Sequence, residues 1–143
     1  MSYETINVTS VTPRIGANVE GVTLSKPLSN RQVEELHLAL AEHQVLFFRN
    51  QPVDVEAHKR SGRYFGELHI HPSTPGPEGH PEILPIHADA NSKRIAGEYW
   101  HSDVSCDPEP PMAASSTSTR YRAAAGIRSL PASMRPMMRC PLA

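Results

Sequence analysis

The chain has 143 residues, enough for one domain with a buried core, and carries 14 basic against 15 acidic residues. That near-balance offers neither a basic face for nucleic acid nor a charged face for a membrane. No apolar run is long enough to span a bilayer, Met1-Ser2-Tyr3-Glu4 opens no signal peptide, and Cys106 and Cys140 fit no zinc spacing, so the reading is a protein of the reducing cytoplasm.

Residues 5–12 alternate loosely through Ile6, Val8 and Val11 and predict a first strand. Ile15 to Leu24 is punctuated by Gly and predicts a second strand or an extended turn. Ser29 with Gln32 three residues on forms a capping box, and Val33, Leu36, His37, Leu40 and Ala41 follow at helical spacing, which predicts a helix over 30–43. Residues 44–49, Gln-Val-Leu-Phe-Phe-Arg, read as a buried strand. Asp54 is placed to cap a second helix running to about Tyr64, although Gly62 weakens its interior and Gly66 offers a stop.

Leu68-His69-Ile70-His71-Pro72 predicts a short strand with His69 and His71 on one face; the plain alternative for either is an ordinary polar position. Residues 73–81 are rich in Pro and Gly and predict a loop. Residues 82–87 predict a strand interrupted by Pro85, hence at a sheet edge. Residues 88–97 are a polar loop, where Lys93 and Arg94 either steer an anionic substrate or are simply solvated.

Trp100-His101-Ser102-Asp103-Val104-Ser105 is the stretch that carries chemistry. On a strand, i and i+2 share a face, so His101 and Asp103 would offer an imidazole nitrogen and a carboxylate oxygen side by side. That is two-thirds of a 2-His-1-carboxylate triad for non-haem Fe(II); the plain alternative is the polar face of a surface strand. Trp100 is expected in the core.

Taken with Ile15-Gly16-Ala17-Asn18-Val19-Glu20-Gly21-Val22, the 43–49 run, Phe65-Gly66-Glu67-Leu68-His69-Ile70-His71-Pro72 and Asp107-Pro108-Glu109-Pro110-Pro111-Met112, this motif resembles the taurine dioxygenase (TauD/TfdA) family, in its order and spacings, from residue 5 to about 112. The resemblance implies an α+β chain forming the N-terminal, incomplete part of a double-stranded β-helix (a jelly-roll, cupin-like fold). It implies an Fe(II)- and 2-oxoglutarate-dependent dioxygenase acting with O₂ on a small, anionic organic substrate, with no nucleic-acid or membrane partner, and leaves room for a homo-oligomer of the full-length form. His101 and Asp103 match the metal ligands and His71 the substrate-contacting histidine. Thr74 stands where the taurine enzymes carry a pocket tyrosine and Gly97 where they carry a pocket asparagine, which disfavours taurine itself. In the family the third iron-binding histidine and the arginine that grips 2-oxoglutarate lie far beyond position 143, and no histidine follows His101 here. The 1–112 part is therefore expected to be an inactive fragment. Two alternatives are a non-catalytic half-jelly-roll that holds a ligand through His71 and the 88–97 loop, and a small cupin-like metal enzyme that recruits His69, His71 or His87.

Residues 113–143 form a second segment of Ala, Ser, Pro, Met and five Arg, with no acid and no period, expected to be structureless. In the family an apolar strand, Gly-Gly-Asp-Thr-Leu and an Ala-Tyr-Asp-Ala-Leu helix follow Pro-Pro-Met. Codons re-formed from the third base of one codon and the first two of the next can give that string. Ser115, Ser116 and Ser118, written TCN, give Phe, Leu, Ile or Val; Met137-Met138 gives Asp without choice; Arg139-Cys140 gives Leu, Met or Val. The segment from about Ala113 onward thus reads as an out-of-frame translation.

Overall fold

A computed structural model of the chain describes residues 2–71, 74, 76–86, 100 and 108–117. Among them run strands β1 (Asn7–Ser10) and β2 (Ala17–Glu20), helix α1 (Asn30–His43), strand β3 (Leu46–Phe47) and helix α2 (Val55–Arg63). The sheet has the order β1-β2-β3. β1 pairs antiparallel with β2, Val8 opposite Val19, and β2 pairs parallel with β3, Ala17 opposite Leu46.

The β1–β2 turn is tied by Thr12, whose hydroxyl donates to the Ile15 carbonyl at 2.6 Å and accepts from the Ile15 amide at 3.0 Å. Gly16 follows with φ 92°, a backbone favouring glycine, and a Cβ there would stand 3.2 Å from the Phe47 ring. Along β2, Ala17 and Val19 are buried and Asn18 and Glu20 are not, the period of two expected of a sheet with one covered face. The core is Ile6, Val19, Val22 and Leu36, with Leu24, Leu28, Leu46, Phe48 and Phe65 packed around it.

Helix α1 begins as expected. The Ser29 hydroxyl accepts from the Gln32 amide, and the Gln32 side chain accepts from the Ser29 amide. Its buried face is Glu35, Leu36 and Ala39, while Ala41 is exposed. The helix stops at Gln44, which takes the left-handed conformation (φ 64°) and donates its amide to Leu40. The strand expected from residue 44 is therefore displaced to Leu46–Phe47. Val45 still joins the sheet edge through its carbonyl, which accepts from the Ala17 amide at 2.9 Å. Val45 and Phe47 point outward and Leu46 and Phe48 pack on the core.

Helix α2 is capped by Asp54, which accepts from the Ala57 amide at 2.7 Å, and continues through Gly62. Its C-terminal end is tied to α1. His37 Nε2–H donates to the Tyr64 carbonyl at 2.8 Å, its ring lies 4.8 Å from that of Phe65, and the Tyr64 hydroxyl accepts from the Leu28 amide.

Three expectations are corrected. Residues 68–71 form no strand: Leu68 packs on α2, where a Cβ at Gly62 would meet its Cδ2 at 2.8 Å, and Ile70 is exposed. Residues 82–86 form no strand either, because Glu82 and the turns before it are held by α2 rather than by a neighbouring strand. Trp100 is 96% exposed, with no described element packed over it. Residues 113–117, at the start of the expected structureless segment, are exposed and form no helix or strand, and the Ser115 hydroxyl lies 3.0 Å from His58 Nε2. No described helix is long and apolar enough to cross a membrane.

Candidate functional site: the His69–His71 stretch and its surroundings

His101 and Asp103, the expected metal ligands, lie outside the described residues, as do His87, Gly97, the 88–97 loop and residues 118–143. Among the described residues no group of three or more His, Cys, Asp or Glu is placed to hold a metal ion. His71, the expected substrate contact, is described and half-buried, and Thr74 nearby is exposed. His69 is also half-buried, and its Nε2 is buried with no hydrogen-bond partner among the described residues.

This stretch leaves α2 through Tyr64 and Phe65, which His37 and the core hold. Further along the chain residues 76–83 make two successive turns, His80 N–H to the Pro77 carbonyl and Ile83 N–H to the His80 carbonyl. Gly76 lies so close to the His80 and Ile83 carbonyls that no side chain fits there.

The turns are fixed to α2 by a charged cluster that the sequence did not reveal. Lys59, 8% exposed, places Nζ 3.0 Å from Glu82 Oε1, 3.7 Å from Glu56 Oε1 and 3.5 Å from His80 Nδ1. Arg63 approaches the same Glu82 oxygen at 3.8 Å. The Glu82 carboxyl is held below the ordinary carboxylate range: its own amide and the Lys59 ammonium both donate to it, which outweighs burial, and the Lys59 and Arg63 charges add to the effect. Glu82 Oε2 is buried without a partner among the described residues. The only local hint was Glu56 and Lys59 three apart on a helix; the partner 23 positions on has no local signature.

A second buried carboxylate also escaped the sequence. Glu35, 2% exposed, accepts from the Glu4 amide at 2.8 Å, the Thr5 amide at 3.0 Å and the Thr5 hydroxyl at 2.7 Å, with Arg31 Nε at 3.2 Å. Burial pushes this carboxyl up, but the three hydrogen bonds and the Arg31 charge outweigh it and hold it at about 2. Its work is structural, fixing the segment before β1 onto α1.

Comparison with known proteins supplies the context. The sequence model of one family, described as taurine catabolism dioxygenase TauD, TfdA family, matches residues 7–135. An alpha-ketoglutarate-dependent sulfonate dioxygenase of Saccharomyces cerevisiae is 32% identical over 74% of this chain and 28% of its own length. An alpha-ketoglutarate-dependent sulfate ester dioxygenase of Pseudomonas putida is 35% identical over 69% of this chain and 32% of its own length. A crystal structure of a taurine dioxygenase from Burkholderia xenovorans superimposes with a TM-score of 0.51 at 34% identity, covering 55% of this chain and 28% of that one. The chain thus spans about three-tenths of the length of the relatives it matches.

Proposed function

Since the chain belongs to the TauD/TfdA family, we propose that it is the N-terminal part of an Fe(II)- and 2-oxoglutarate-dependent dioxygenase that contributes two iron ligands, His101 and Asp103, and a substrate contact, His71. The observation that carries this reading is the His-x-Asp pair at 101–103, inside the stretch matched by the family model. The donor set fits the metal: an imidazole nitrogen and a carboxylate oxygen two residues apart suit a facial triad that leaves room for co-substrate and O₂. The chemistry such a centre supplies when bound is oxidation of the substrate by O₂ coupled to decarboxylation of 2-oxoglutarate. The relatives named for sulfonates and sulfate esters support a small organic anion of that class as substrate. His71 then donates an N–H hydrogen bond to the anionic head group, stronger for the charge on its acceptor.

In this reading His101 and Asp103 are an incomplete ligand set, and residues from about Ala113 onward are encoded out of frame. The chain as given is expected to bind Co(II), a spectroscopic stand-in for Fe(II), only weakly, and His101→Ala is expected to abolish that binding. Tight stoichiometric binding that survives His101→Ala sinks the ligand assignment. The chain is likewise expected to release no succinate from 2-oxoglutarate. Succinate that depends on Fe(II) and on Asp103 would instead show that another residue supplies the third ligand.

A further inference from the structure

We propose that His80 is a proton-driven partner switch: neutral, it takes a hydrogen bond from Lys59, and protonated, it gives one to Glu56, so that the 76–83 turns exchange the α2 residue that holds their histidine as the pH crosses the histidine range.

The switch rests on one ring nitrogen. His80 Nδ1 lies 3.5 Å from Lys59 Nζ and 3.6 Å from Glu56 Oε1. A lysine ammonium has hydrogens to give and no lone pair to offer. Beside it Nδ1 must present its own lone pair, which places the proton of the neutral ring on Nε2. A proton taken from solvent, to which the side chain is 36% exposed, then puts an N–H on Nδ1. That N–H faces a like charge on Lys59 and an acceptor on Glu56, so the bond from Lys59 breaks and a charge-assisted one to Glu56 forms. Lys59 can give up the ring because it keeps Glu82 at 3.0 Å and Glu56 itself at 3.7 Å. The exchange carries the histidine from a shielded partner to a solvated one, the Lys59 side chain being 9% exposed and that of Glu56 66%. Both partners stand on α2 three residues apart, so His80 stays tied to the same helix in both states. Among the described residues the charged groups around the ring are Lys59 and Glu56 directly, Glu82 on the same Lys59, and Arg63 behind it, 3.8 Å from Glu82.

The test is exchange of the carbon-bound imidazole hydrogen in the full chain, read by mass spectrometry from about pH 5 to 9, which gives the titration midpoint of His80 from a peptide holding no other histidine. Glu56→Gln is expected to lower that midpoint by roughly half a unit, because the protonated ring loses its charged acceptor, and Lys59→Met to raise it by roughly one unit, because the like charge is gone. Backbone exchange over 76–83, corrected for its intrinsic pH dependence, reads the tie itself. In the wild-type chain it is expected to stay within about twofold across the midpoint. In Glu56→Gln it is expected to rise roughly threefold below the midpoint, where the ring has left Lys59 and finds no charged acceptor. The Glu56 side chain is exposed, so Glu56→Gln keeps the fold and decides the matter even if Lys59→Met does not fold. An unmoved midpoint in Glu56→Gln overturns the proposal, as does a midpoint that fails to rise in a folded Lys59→Met. Turns that open in the wild-type chain on protonation, or that stay equally protected in Glu56→Gln, overturn it as well.

Discussion

The Glu35 carboxylate keeps its charge at 2% exposure because three hydrogen-bond donors and Arg31 converge on it. Its folded-state value of about 2 lies below the 4.5 of an unperturbed glutamate, so the native state binds this proton less readily than the unfolded chain. The stabilisation is fully present above pH 4.5 and is lost as the pH falls towards 2. Glu35→Gln removes the charge and turns one acceptor oxygen into a donor facing the Glu4 and Thr5 amides. It is expected to lower the melting midpoint at neutral pH, with the gap to wild type narrowing between pH 4.5 and 2 in circular-dichroism melts; a gap independent of pH would contradict the mechanism. This arrangement was not singled out from the sequence, although Arg31 and Glu35 stand four apart on the predicted helix. Nothing local to Glu4 or Thr5 announces a carboxylate thirty positions away. The expectation for the 101–103 pair rests on residue type at fixed spacing and that for His71 on the family resemblance; the 101–103 pair lies outside the described residues.

Elements specified by their own ends were read well. Both helices carry the N-caps their sequences advertise, and removing the α1 N-cap by Ser29→Ala is expected to cost about 1 kcal/mol, measurable by urea titration. Leu36, 1% exposed between α1 and the sheet, is expected to cost about 2–5 kcal/mol as Leu36→Ala in the same titration, because a cavity is left under β2. Elements that need a partner were read less well. The alternation at 68–71 is a strand pattern, but no described strand lies alongside it, and Leu68 finds burial against Gly62 instead. The run at 44–49 is apolar enough for a longer strand, but Gln44 turns left-handed to end α1, which delays pairing to Leu46. Gly76 is the corresponding backbone constraint in the turns. Gly76→Ala drives a methyl into two carbonyls, which cannot swing aside as a side-chain tip would. It is expected to destabilise the chain by about 1–3 kcal/mol and to raise exchange over 76–86 most.

Among the described residues, Ile70, Leu84, Ile86, Trp100 and Met112 after α2 are exposed, as are Val45 and Phe47 before it, while the buried core lies almost wholly before α2. So much uncovered apolar surface beside a two-residue edge strand favours association. The chain is expected to self-associate in a concentration-dependent way, checked by sedimentation velocity, whereas a monomer at every concentration would contradict this. The 1–112 stretch holds the features that match the family, and the matches to individual relatives take in 69–74% of the chain, yet the family model runs on to residue 135. On the proposed reading, a shift of one base near codons 113–114 would account for the loss of every acid, lysine and histidine after Glu109, and re-reading Met137-Met138 would give the Asp expected there. Sequencing the locus and translating the repaired frame is expected to give Gly-Asp-Thr soon after the His-x-Asp segment, then one further histidine, then an arginine some ten or so residues on. The physical demand behind that order is a third protein ligand for Fe(II) and a bidentate cation for the far carboxylate of 2-oxoglutarate. A repaired frame that meets a stop at once, or runs on without that histidine and arginine, makes 113–143 a genuine in-frame segment. That outcome would favour the alternative of a small cupin-like metal enzyme that recruits His69, His71 or His87.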